Sequence, residues 1–268
     1  MTDMKDQITH LIPAECPWRD TLYWYDTIDS TNIRAKEMAK QGAPHGTVVL
    51  AGHQSAGRGR LGRSFHSPEQ KGMYLSVILR PDCLPAQLMH LTCAVGVAVC
   101  NAIEALMGLR PGIKWINDLV VNGKKLGGIL TELSLDQATG KVDWAIVGIG
   151  INCSHGISDF PEELQSIATS LSLVTGNAVQ LAAVSASVID ALRQMDQVLF
   201  SGKADIMNRY RSDCITLQKE ILVVRGDEKR YGRAVGINDE GALLVSFDGR
   251  VEAVNSGEAS IRGMYGYV

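Results

Sequence analysis

Three glycines and three arginines share the short run Gln54-Ser-Ala-Gly57-Arg58-Gly59-Arg60-Leu61-Gly62-Arg63. Glycines let a backbone turn its N–H groups toward a ligand, and guanidinium forks grip carboxylates or phosphates with two parallel hydrogen bonds. The pattern points to a small anion. A solvated basic loop and a nucleic-acid segment of the arginine-glycine type are the competing readings, although the latter are usually longer and repeated. A second constellation is Lys114-Trp115-Ile116-Asn117-Asp118, followed by Asn122-Gly-Lys-Lys125-Leu-Gly127-Gly128. Lys114 or Lys125 could neutralise phosphate charge, and Asp118 could hold Mg²⁺ through oxygen. Against this stand the ordinary use of Asn-Asp in turns and the usual solvation of hairpin lysines. Gly127-Gly128 inside an apolar strand marks the close approach of a ligand or of another backbone.

Two further segments carry polar groups at places where a ligand can reach them. Ser30-Thr31-Asn32 opens a helix, as a cap or as a donor and acceptor set. Gly148-Ile-Gly150-Ile-Asn152 ends a strand and leaves room against a sheet. The latter is no dinucleotide fingerprint, because the third glycine and the following helix are missing. There is no G-x-x-x-x-G-K-[ST] loop either, so any ATP would bind without a P-loop.

The elements that must position these residues follow from periodicity. Strands are predicted over 23–28, 47–53, 73–79, 126–135 and 143–151, and shorter extended pieces over 113–116 and 119–121. Helices are predicted from Ser30 to Gly42, over 88–109 and over 181–199. Asn122-Gly123 is a strong hairpin signal. From Gln218 the texture changes to short strands broken by Arg225-Gly-Asp, Asn238-Asp-Glu-Gly and Asp248-Gly, which predicts a small, barrel-like β module. The expectation is an α+β (α/β-type) protein, with a mixed central β-sheet and flanking helices over 1–217 and the β module over 218–268.

With 26 Lys and Arg against 29 Asp and Glu, the formal charge is −3, so nucleic acid is not expected as the main partner. Six cysteines (Cys16, Cys83, Cys93, Cys100, Cys153, Cys214) form no C-x-x-C pair, which predicts reduced, buried thiols. The apolar stretch 93–103 is too short to span a bilayer. A cytoplasmic protein is expected.

Ser30-Thr31-Asn32, Gln54, G-R-G-R-L-G-R, K-W-I-N-D-L, K-K-L-G-G-I-L and G-I-G-I-N resemble, in order and spacing, the motifs of biotin protein ligases. The resemblance runs from about residue 22 into the C-terminal module, where Gly257-Glu258 and Ile261-Arg262 fit as well. It implies a catalytic domain like that of class II aminoacyl-tRNA synthetases, with a small C-terminal SH3-like barrel. Implied too is a two-step reaction, in which biotin and MgATP give biotinyl-5′-AMP and a lysine of a biotin carboxyl carrier protein is then acylated. On this resemblance Lys125 and Arg60 are the catalytic pair. Biotin is assigned to Ser30, Thr31, Asn32, Gln54, Arg58, Gly59, Arg60, Lys125, Gly127 and Gly128. ATP or the adenylate is assigned to Arg58, Arg60, Arg63, Phe65, Lys114, Asn117, Asp118 and Asn152, with Mg²⁺ on Asp118. Arg262 is a further candidate for ATP or carrier contact.

The sequence departs from the family pattern at two positions. Ile116 stands where proline is common, and Phe65 where tryptophan is common. The twenty or so residues before the catalytic pattern are too few for a winged-helix domain, so a monomeric or homodimeric ligase without DNA or membrane binding is expected. A lipoate or octanoyl transferase of the same broad fold is the rival enzyme, and a nucleic-acid module the rival outside enzymology.

Overall fold

The computed structural model describes residues 3–256 and 260–263. A seven-stranded mixed sheet forms its centre, in the order β1-β2-β3-β7-β6-β5-β4. These strands are β1 (Leu22–Ile28), β2 (Thr47–Gln54), β3 (Gly72–Leu79), β4 (Gly112–Lys114), β5 (Asp118–Val121), β6 (Lys124–Leu135) and β7 (Val142–Asn152). Only β1 and β2 run parallel, joined by helix α2 (Thr31–Lys40), and the other neighbours are antiparallel. The mixed direction follows from the connections. A parallel pair needs a crossover element, whereas the two-residue Asn122-Gly123 turn, with both residues at positive φ (50° and 74°), permits only an antiparallel return.

One face of the sheet packs on α3 (Leu91–Met107) and α6 (Leu181–Val198), with α1 (Met4–Leu11) and α7 (Lys203–Asp213) beside them. α3 is apolar nearly all round, and eleven of its residues are buried, as a helix enclosed on several sides requires. Together with the 3-10 turn before it, this helix (Pro85–Met107) is the one stretch among the described residues long and apolar enough to cross a bilayer, and 72% of its most apolar window is buried in the protein. The opposite face carries α2, whose Ala35, Met38 and Ala39 meet Val49, Ile78 and Ile146 of the sheet. α2 covers only part of that face and leaves the rest open.

Short helices α4 (Glu162–Gln165) and α5 (Leu171–Thr175) lie in the long segment after β7. The C-terminal module is a five-stranded antiparallel sheet in the order β11-β10-β9-β8-β12, consistent with an SH3-like domain. It comprises β8 (Glu220–Arg225), β9 (Glu228–Ile237), β10 (Leu243–Phe247), β11 (Arg250–Val254) and β12 (Ser260–Gly263). Helices α1 and α7 escape the periodicity reading because they are mostly polar; α7 buries only Met207 and Tyr210 and α1 only Ile8. All six cysteines are buried and unpaired.

Candidate active site

The sheet register builds a trough. On the open face, Tyr74 of β3, Gly150 of β7, Gly128 of β6, Asp118 of β5 and Lys114 of β4 stand side by side in one cross-strand row. Ser76, Gly148 and Leu130 form the parallel row two residues further along. Glycines in the middle of both rows leave space where side chains would stand, and neighbouring groups fill part of it. A Cβ on Gly148 would lie 1.9 Å from Asn32 Oδ1, and one on Gly150 2.5 Å from the Phe65 ring. Above the trough is a cavity of about 510 Å³, within the usual size of a small-molecule site.

The cavity walls bring together Ser30, Thr31, Asn32, Gln54, Arg58, Gly59, Arg60, Arg63, Phe65, Lys114, Asn117, Asp118, Lys125 and Gly128. Most of the neutral polar groups come from the β1–β2 side of the sheet, and Asn117 and the charged groups come from the β4–β6 side and the arginine loop. Thr31 N–H and Oγ1–H point to Gln54 Oε1 at 2.9 and 3.1 Å, and Gln54 Nε2–H donates to Ser67 Oγ at 3.0 Å. Ser30 is the helix N-cap residue, but its hydroxyl makes no cap hydrogen bond, so the capping alternative does not account for that side chain.

Residues 57–65 form a small ladder rather than a free coil. Gly59 N–H donates to Arg63 O (2.7 Å) and Phe65 N–H to Gly57 O (2.9 Å). From it Arg60 reaches across the cavity mouth, donating to Asn117 Oδ1 at 3.1 Å and to the carbonyl of Ser256 in the β module. Burial lowers the Arg60 pKa, opposed by the nearby Asp118 carboxylate. Asn117 is itself braced on β6 through its amide to Ile129 O (2.8 Å). Lys125 Nζ lies 2.6 Å from Asp118 Oδ1. Burial also depresses the Lys114 pKa, with Asp118 again acting the other way. A cationic cluster held part-way out of water is poised to exchange hydration for an anionic ligand.

Two of the assigned residues, Asn152 and Gly127, lie outside the cavity lining. Asn152 lies outside the lining: it is buried, and its amide donates to Thr169 O at 2.9 Å, so its polar group is used in holding the segment after β7. Gly127 faces away from the cavity. A Cβ there would lie 2.4 Å from Gly150 O, so this glycine serves the packing of β6 on β7. Asp118, the expected Mg²⁺ contact, lines the cavity beside Lys125. Among the described residues no three His, Cys, Asp or Glu side chains gather, and Asp118 already holds Lys125. A Mg²⁺ ion reaching Asp118 would take its other ligands from water and phosphate, as this ion commonly does. Gly257 and Glu258 lie outside the described residues.

Several lining residues had no distinctive sequence signal. Leu164 and Ile167 enter the cavity from the segment after β7. That segment pairs with the backbone of Lys125 itself: Lys125 N–H donates to Ile167 O (2.7 Å) and Thr169 N–H to Lys125 O (2.8 Å). Trp115 lines the wall and ties it to the β module through Nε1–H to Gly241 O (2.9 Å).

Residues 24–152 match the biotin/lipoate A/B protein ligase family, and residues 216–262 match the biotin protein ligase C-terminal domain. The bifunctional ligase/repressor BirA of Bacillus spizizenii is 37% identical over 241 residues, 90% of this chain and 74% of that protein. This chain belongs to the biotin protein ligase family. The biotin--[acetyl-CoA-carboxylase] ligase of Mycobacterium tuberculosis is 30% identical over 95% of this ligase and 92% of its own length. The solved biotin protein ligase of Aquifex aeolicus in complex with biotin and ATP superimposes with a TM-score of 0.77 at 30% identity, covering 91% of this ligase and 99% of that chain.

Proposed function

We propose that this ligase activates biotin with MgATP and transfers it to a specific lysine of a biotin carboxyl carrier protein. The observation that carries the reading is that one cavity joins a neutral hydrogen-bonding wall (Ser30, Thr31, Gln54) to five cationic side chains, Arg58, Arg60, Arg63, Lys114 and Lys125. The neutral wall suits the ureido group of biotin, and the cationic part suits its carboxylate beside a triphosphate.

In the first step a biotin carboxylate oxygen attacks the α-phosphorus of ATP, the bond to the β-phosphate oxygen breaks, and pyrophosphate leaves. Two anions must meet for this to occur, so fixed cations supply most of the stabilisation. Lys125, held between Asp118 and the backbone of the covering segment, places its ammonium toward the reacting oxygens. The Phe65 ring over Gly150 offers a face for adenine. Mg²⁺ enters with ATP and neutralises phosphate charge. In the second step the carrier lysine's amine attacks the anhydride carbonyl, an amide forms and AMP leaves. The Gly57–Arg63 loop, latched by Arg60, shields the anhydride from water until then. A reaction fed by ATP and a protein with six unpaired buried cysteines both fit the cytoplasm.

The test is to incubate the full chain with MgATP, labelled biotin and a carrier domain, with lipoate replacing biotin in a parallel arm. Label on one carrier lysine from biotin alone is the expected result. Transfer of lipoate instead would move the protein to the other branch of the fold.

A further inference from the structure

Residues 153–170 wall the cavity beside Lys125, yet between Gly156 and Ala168 only Phe160 is buried. Little apolar surface is gained when this stretch seats itself. Its anchor is His155, which is fully buried with its ring stacked on Phe160. Neither ring nitrogen meets a hydrogen-bond partner among the described residues. The Lys71 carbonyl, the backbone acceptor that would favour a charged ring, already takes the N–H groups of Cys153 (3.1 Å) and Ser154 (2.7 Å).

The titratable groups facing the ring are His66 and Lys71, from the stretch between β2 and β3, and Asp159 of its own segment. His66 and Lys71 oppose a charge on His155. The His66 ring is 6.4 Å away between centroids, and its Nε2–H donates to the Asp159 carbonyl at 2.9 Å. Asp159 favours the charge, but Gly156 N–H (2.7 Å) and the Lys71 ammonium (3.1 Å) already engage its carboxylate. Those two contacts, Gly156 first, hold Asp159 below the usual carboxylate range, so it stays ionised in mild acid. The seat accepts a neutral imidazole and penalises an imidazolium. Phe160 and Asp159 travel with the segment, so exposing the ring requires the segment to lift and leaves the seven-stranded sheet paired.

We propose that His155 makes this wall of the cavity acid-labile: the histidine takes up a proton by leaving its seat, and residues 156–168 lift from Lys125 while the sheet stays folded. Leu164 and Ile167 then withdraw from the cavity lining. The release belongs to the unliganded chain and holds whatever ligand the cavity takes. Burial first, and His66 after it, lower the seated pKa to about 4, against an ordinary 6.5 once the ring is in water. Between those values the lifted state binds more protons, so it should be about tenfold more populated at pH 5.5 than at pH 7.5.

The experiment is amide hydrogen exchange of the full-length, ligand-free protein at those two pH values, corrected for the chemical exchange rate at each. The chains compared are the parent, His155→Phe and His155→Gln. The reporters are the amides of Lys125 and Thr169, which bond across the seam between β6 and the segment, and the controls are the amides of β3 and β7. In the parent, protection at the seam should fall about tenfold at pH 5.5, while β3 and β7 change less than about twofold. Phenylalanine keeps the stacking and glutamine keeps a polar group that takes up no proton, so in either variant the seam should change less than about threefold. Two variants are used so that one remains if the other does not fold. A tenfold fall that persists in a folded variant, an unaltered seam in the parent, or a fall shared by β3 and β7 would overturn the inference.

Discussion

Lys125 is the residue on which the proposed chemistry leans most. Its ammonium is placed by Asp118 from the side chain and by Ile167 and Thr169 from the backbone, so removing it leaves the pocket walls in place and takes away one charge. Lys125→Ala should therefore slow adenylate formation on the order of 10²-fold, the usual cost of one preorganised charge contact, while biotin affinity changes much less. Pyrophosphate exchange within about threefold of the parent would remove Lys125 from the catalytic machinery. The sequence made this lysine visible through its hairpin and the glycines beyond it. It did not reveal Ser76 or Ser67, because one hydroxyl in an apolar strand or in a polar loop looks like any other until the fold puts it beside Asn32 or Gln54. Asn152 shows the converse. Its place at the end of a glycine-rich strand looked like ligand contact, and a carbonyl 17 residues away takes its amide.

The elements that carry the site differ in how they are held. Most strands were legible because their apolar runs are long and bounded by turn residues, and the Asn122-Gly123 hairpin was legible because its turn type is encoded in two residues. The segment after β7, residues 153–170, was not. It has little periodicity of its own and takes its course from the distant Lys71–Asp159 ion pair (3.1 Å) and, within itself, from the stacking of His155 on Phe160 (4.9 Å between centroids). His155 is fully buried. Burial, with a smaller contribution from nearby His66, lowers its pKa to about 4, while Asp159 pulls the other way. An unfolded chain would protonate this histidine near its ordinary 6.5. Between those values the unfolded state binds more protons than the folded one, so stability should fall as pH drops from about 6.5 to 4. In His155→Phe, thermal unfolding followed across that range should show a flatter pH dependence than the parent. An unchanged slope would mean that other groups set the acid sensitivity.

At the scale of the whole molecule, the loop, the sheet and the β module meet through Arg60 and Trp115. Arg60 joins the Gly57–Arg63 ladder to Asn117 and to the Ser256 carbonyl, and Trp115 joins the cavity wall to Gly241. The β module thus closes one side of the cavity mouth. Replacing Arg60 by glycine removes both tethers and adds backbone freedom, so the loop should open more often. Adenylate synthesis should persist at a reduced rate, and the anhydride should escape to label lysines on an unrelated bystander protein. If Arg60→Gly makes adenylate at the parent's rate and labels no bystander, the loop is not a retaining lid.

In the proposed chemistry the cationic side of this cavity drives attack by a biotin carboxylate on ATP. Its most direct measurement is exchange of labelled pyrophosphate into ATP by the purified full-length protein, with no carrier protein present, in the presence and absence of biotin. Exchange should require Mg²⁺ and biotin together and should not be supported by lipoate. Exchange independent of biotin, or none when biotin, ATP and Mg²⁺ are all saturating, would contradict it.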